Sequence, residues 1–232
     1  MAGQEPTSIA LKRAGGLSLV ISGLLLLLSL PLTVLSLSIL LPSSPVAGLQ
    51  ALQSQPIIFG SLIGTLLASD LFFALGLAAL YFVLRGTSQA GALFALLLGI
   101  LFVGVDIATD LPLRYVQIDL GSQYSAATSD LQRSGIVAAY QLASSYTNVT
   151  DLIAFFLFGL AIVFVGYTML KDKSLFGRAT SYLMLLVGIL WMLLLPSSAN
   201  QTAFAVLYFG SAVIYVASFV IVGRRLYLMH PS

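Results

Sequence analysis

Residues 14–69 contain no charged side chain: 56 consecutive uncharged positions, ended by Asp70. A bilayer core about 30 Å thick asks for roughly 20 apolar residues per helical crossing. The segment 56–84 is long enough to cross on its own, and Asp70 stands near its midpoint. A charge at that depth costs roughly 2.5–3.5 kcal/mol on insertion scales, which makes it a functional-site candidate by default.

Composition points the same way. The chain is 59% hydrophobic and 8% charged, against about 25% charged residues in soluble domains. So few charges cannot cover a soluble surface, and a membrane protein is the class that fits. The net charge of +2 is too small to suggest nucleic acid as a partner. There is no cysteine and a single histidine, His230. Disulfides, thiolate and multi-histidine metal sites, iron–sulfur clusters and haem held by paired histidines are therefore excluded, and no cofactor or metal is expected.

Windows of roughly 20 apolar residues give six spans, at 15–41, 57–84, 90–111, 151–170, 179–197 and 203–223. The first apolar run is too long for a signal-peptide core of about 7–15 residues and is expected to remain as a span. Pro31 falls inside it, where a proline kinks a helix. The connections 85–89 and 171–178 are short enough to make antiparallel pairs of spans two and three and of spans four and five. The expected fold is all-α: one polytopic domain, 1–232, with tails at 1–14 and 224–232.

Lys and Arg set the orientation. With the N-terminus in the cytoplasm, Lys12, Arg13, Arg85, Lys171, Lys173, Arg178, Arg224 and Arg225 all lie inside, eight of the ten basic residues. Only Arg114 and Arg133 fall outside. Both termini are then cytoplasmic in a multi-pass cell-membrane protein. The only two asparagines, Asn148 and Asn200, each head an Asn-x-Thr triplet on the outer side, where glycosylation would suit them.

The longest non-spanning stretch, 112–150, is expected outside as a turn-rich loop at 121–129 followed by an amphipathic helix. Ser129 or Asp130 caps that helix, and Leu131, Ala138, Leu142 and Tyr146 form its apolar face, with Ile136 and Val137 off the stripe. It either lies on the membrane surface or extends span four. Tyr115, Tyr124, Tyr140 and Tyr146 suit the interface, where one end of a tyrosine is wet and the other apolar.

Three constellations carry candidate chemistry. Asp70 has no Lys or Arg at its depth in the sequence. Arg85, on the same helix, is about 22 Å away along the axis at 1.5 Å per residue. Asp70 is thus expected to be protonated, hydrogen-bonded to hydroxyls such as Ser29 and Thr33 of span one, or open to a watery cavity. It serves either as a proton or cation site or as a neutral tie between helices. Asp106, Asp110 and Arg114 share a helical face by their spacing, unless Pro112 ends the helix first, and Asp151 starts span four nearby. These four form either an outward polar vestibule or an ion-pair cluster that anchors the outer ends. Gly60 and Gly64, extended by Ala68, make a small-residue row for close helix contact, within the bundle or to another subunit. Trp191 reads as packing. No catalytic constellation is present, so an enzyme is not expected.

Three stretches carry a resemblance. They are Leu11, Lys12, Arg13, Ala14, Gly15, Gly16 and Leu17; Ser69, Asp70 and Leu71 with Ala79, Leu80, Tyr81, Phe82, Val83, Leu84 and Arg85, then Ala92 and Leu93; and Phe155, Phe156, Gly159, Gly166, Tyr167, Ser174, Gly177, Leu186, Val187 and Gly188. Over about half its length the chain resembles a family of uncharacterised six-span prokaryotic membrane proteins, a domain of unknown function. The resemblance implies six spans with both termini inside and supplies no activity.

Two functions remain. One is a non-catalytic subunit or scaffold of a membrane assembly, with lipid and other subunits or copies as partners. The other is a small transporter or proton-coupled carrier using Asp70 and the outer acidic group. The absence of an evident internal repeat tilts toward the first.

Overall fold

A computed structural model describes residues 6–171 and 175–229. Lys173, Ser174 and His230, used in the readings above, lie outside the described residues. All regular structure among the described residues is helical: α1 (Pro6–Leu35), α2 (Leu37–Leu40), α3 (Pro45–Ser54), α4 (Pro56–Leu84), α5 (Gln89–Val105), a π-helical turn (Asp106–Asp110), α6 (Leu111–Ala126), α7 (Asp130–Lys171), α8 (Arg178–Met192), α9 (Leu194–Ser197) and α10 (Gln201–Leu228). Six stretches are long and apolar enough to cross a membrane: Ile9–Leu35, Pro56–Leu84, Gln89–Ala126, Asp130–Lys171, Arg178–Ser197 and Thr202–Leu228. The chain is an all-α, multi-pass integral membrane protein.

Burial follows membrane logic. Leu24, Leu27, Leu75, Leu97, Ile100 and Ile189 are exposed, while Ser22, Ser69, Ser181 and Ser218 are buried. Lipid tails are as apolar as leucine, so leucine gains little by turning inward. Small residues and hydrogen bonds hold the helices together instead.

The described residues form two compact sets, one from 1–27, 68–103 and 153–232, the other from 28–67 and 104–152. In the first, helices cross at paired glycines. A Cβ on Gly159 would stand 2.6 Å from the Gly188 carbonyl oxygen, and the reverse distance is the same. Gly16 and Gly223 make an equivalent crossing of α1 and α10 at 2.5 Å. Around these crossings lies an aromatic core of Phe73, Phe102, Phe158, Trp191, Tyr215 and Phe219. The Phe73 and Trp191 rings each lie 5.0 Å from Phe158. Trp191 packs, as its sequence context suggests.

The second set departs from several expectations. α3 had no counterpart among the spans and loops read from the sequence. Ser44 caps it by accepting from the Ala47 amide at 3.2 Å, and Pro45 occupies its first position, where no N–H is needed. Leu49 and Leu52 of α3 pack with Phe59, Leu62, Leu120 and Tyr140. The third span does not stop at residue 111. Through the π turn, the Leu111 amide reaches back to the Asp106 carbonyl. Pro112 then falls in the first turn of α6, which tolerates proline, and the helix runs on to Ala126. Residues 121–126 are therefore helix rather than loop. The segment after them extends span four: α7 is continuous from Asp130 to Lys171. Ser129 caps it through the Gln132 amide, at 3.3 Å.

The exposed and the packed sides of that segment are distinct. Leu131, Leu142 and Tyr146 are exposed, at 84%, 68% and 61%. The packed face is Ile136, Val137, Tyr140, Ala143 and Thr147. Tyr140 is buried: its ring fills the space that the missing side chain of Gly48 leaves on α3. Tyr115 is exposed.

Candidate functional site

In the second set, α6 and α7 are joined by one arginine and two aspartates. Arg114 Nε donates to Asp110 Oδ2 at 2.6 Å, and Arg114 Nη2 donates to Asp151 Oδ2 at 2.7 Å. The arginine side chain is 13% exposed. Its guanidinium also lies 5.9 Å from the Phe59 ring. A planar fork of donors suits this shared grip, because each nitrogen serves a different carboxylate without moving the stem. Farther along the same two helices Gln117 Nε2 donates to Thr147 Oγ1 at 3.2 Å, and Thr147 donates in turn to the Ala143 carbonyl at 3.0 Å.

The arrangement is unbalanced in two respects. Asp106, in the π turn, bears electrostatically on Asp151, so a third carboxylate influences the pair that Arg114 holds. Asp110 Oδ1 is buried, and no donor among the described residues reaches it. A buried carboxylate oxygen of this kind is a natural place for a water. The structure thus joins Asp110, Arg114 and Asp151 directly, with Asp110 buried and Asp106, Arg114 and Asp151 half-buried. Among the described residues no group of three or more His, Cys, Asp or Glu side chains is placed to hold a metal ion.

In the first set, Asp70 is half-buried on α4 beside a buried hydroxyl network. Ser22 Oγ lies 2.8 Å from Tyr215 Oη and 3.3 Å from Ser69 Oγ, and Ser69 Oγ donates to the Ser22 carbonyl at 3.0 Å. These bonds tie α1, α4 and α10. The Asp70 carboxylate bears electrostatically on Tyr215. The hydroxyls named from the sequence lie in the second set, where Thr33 Oγ1 donates to the Ser29 carbonyl at 2.9 Å. Ser22 and Tyr215 went unread. A serine or tyrosine in a span says nothing of its facing: Ser18 and Ser218 bond their own helix's carbonyls, and only the helix packing singles out Ser22.

The glycines divide into two classes. Gly16, Gly159, Gly188 and Gly223 are consumed by crossings within the chain, whereas a Cβ on Gly60 or Gly64 would meet nothing within 4 Å. Ile57 on the same helix is 81% exposed. Asn148 is exposed within α7, and the Thr150 hydroxyl of its triplet donates to the Thr147 carbonyl at 2.9 Å. Asn200 caps α10 by accepting from the Ala203 amide at 3.1 Å. Comparison of the chain with protein-family models, with curated proteins and with solved structures finds no match.

Proposed function

We propose that this protein is a non-catalytic subunit or scaffold of a cell-membrane assembly, with both termini in the cytoplasm. The observation that carries this reading is the open glycine face of α4. Small residues in a span normally serve close approach of another helix. A Cβ on Gly60 or Gly64 would meet no atom of the described residues within 4 Å, which leaves this face open to a helix of another polypeptide. The resemblance to six-span prokaryotic proteins of unknown function is in keeping with this.

The test uses that openness. Gly60→Leu with Gly64→Leu adds bulk where no atom of the chain stands within 4 Å. In a mild-detergent purification the wild type is expected to carry a stoichiometric partner or second copy, and the double variant to lose it with its thermal stability unchanged. A wild type that purifies alone as a monomer overturns the reading.

A carrier is the second reading, favoured by Asp70 beside the Ser22–Ser69–Tyr215 network and by the unmatched Asp110 oxygen. It expects Asp70→Asn to abolish proton-coupled uptake in vesicles while leaving assembly intact. If Asp70→Leu has no phenotype, the carrier reading is lost.

A further inference from the structure

The first set gathers basic side chains at one end. α1 residues Gly15 and Gly16 lie against Ala79 of α4 and against Gly223 and Tyr227 of α10. Gly91, early in α5, lies against Thr168 of α7, and Gly166 of α7 lies against Ser181 of α8. These contacts bring together the start of α1 with Arg13, the end of α4 with Arg85, the end of α7 with Lys171, the start of α8 with Arg178, and the end of α10 with Arg224 and Arg225. All six are exposed. None of them forms an ion pair among the described residues, where the ion pairs are those of Arg114 and Arg133. The sequence places only Glu5 and Asp172 near this end, against eight cations.

Helix dipoles account for part of this. Cations at the C-terminal ends of α4, α7 and α10 complement the partial negative charge there. Arg178 does the opposite: it is the first residue of α8, at that helix's positive end. Arg225 is drawn toward it. A Cβ on Gly177, the residue before Arg178, would stand 3.3 Å from Arg225 Nη1, and Gly177 has φ +74°, which favours glycine. Two guanidinium-bearing residues and a helix N-terminus thus converge with no described acid between them. Such an arrangement favours an anion.

The depth of the cluster indicates which anion. Exposed Tyr167 and Tyr182 lie one helical turn inward of Lys171 and Arg178, and the Lys171 ammonium sits 4.6 Å from the Tyr167 ring. Arg85 sits 5.0 Å from the Phe82 ring. Exposed tyrosines with cations just beyond them match the headgroup layer of a bilayer. We propose that this end is a docking surface for anionic phospholipid headgroups, with Arg178 and Arg225 holding a lipid phosphate at the start of α8. Arginine suits this role because its fork matches phosphate geometry and it is always charged.

The test is native mass spectrometry of the full chain in mild detergent, titrated with phosphatidylglycerol or phosphatidylcholine. The wild type is expected to retain phosphatidylglycerol about tenfold better or more, as two arginines at an anionic surface imply. Arg178→Gln with Arg225→Gln is expected to lose most of that preference, and Arg178→Lys with Arg225→Lys to keep a larger part of it. If the glutamine variant does not fold, the wild type still decides: its preference must weaken as salt rises from about 0.05 to 0.5 M, because screening shortens the reach of exposed charge. Equal retention of the two lipids by the wild type, a preference indifferent to salt, or one unchanged in a folded glutamine variant overturns the proposal.

Discussion

Arg114 Nη2 lies 2.7 Å from Asp151 Oδ2, and this contact joins α6 to α7 across 37 residues of sequence. The same guanidinium holds Asp110 at 2.6 Å. One cation therefore serves two carboxylates in a place where water is scarce. Such groups are costly to bring in and more costly to leave unmatched.

Arg114→Met is therefore expected to destabilise the protein by roughly 3 kcal/mol or more, the range for removing one partner of a buried pair. It strands Asp110 and Asp151 together. Asp151→Asn is expected to cost less, since Asp110 still neutralises the arginine and the Asp151 side chain is 24% exposed. Thermal unfolding of purified protein in detergent ranks the two. A ranking in the reverse order contradicts the shared grip.

The two classes of glycine give opposite expectations. Gly188→Ala sets a methyl 2.6 Å from the Gly159 carbonyl oxygen and is expected to cost about 1–3 kcal/mol, as overpacking does. Gly135→Ala, in α7, meets nothing within 4 Å and is expected to stabilise by about 0.5–1 kcal/mol through lower unfolded-state entropy and better helix propensity. Unfolding midpoints of the two single variants decide the matter.

Tyr215→Phe removes the hydroxyl that lies 2.8 Å from Ser22 Oγ. Interhelical hydrogen bonds in membranes average about 0.6 kcal/mol, and the loss should be of that order, because Ser22 keeps Ser69 as a neighbour. A shift of several kcal/mol would mean that the hydroxyl anchors more than the three helices seen to meet there.

The sequence made the six apolar helices legible because lipid leaves the backbone no alternative to helix, and the apolar runs are long. What escaped was everything set by neighbours. Pro112 reads as a helix breaker, yet the π turn before it lets the helix continue. The side of α7 that packs in protein was not legible from its apolar stripe, because it is set by α3, against which α7 packs through Gly48 and Tyr140. The signal for α3 was available in Ser44 and Pro45, a cap followed by a first-turn proline. The pairing of Asp110 with Arg114 was legible from their i, i+4 spacing, whereas Asp151 was placed near them only by the order of the spans. The Ser22–Tyr215 contact was not legible, since it pairs α1 with a helix near the other end of the chain.

Cysteine labelling tests the six-crossing account most directly, because the chain has no cysteine of its own to confuse the result. One cysteine replaces Gly86, exposed between α4 and α5, and in a second variant one replaces Ser129, exposed between α6 and α7. With a membrane-impermeant maleimide on intact cells, the account predicts labelling at 129 and none at 86 until the membrane is opened. Labelling of both positions, or of 86 alone, contradicts it.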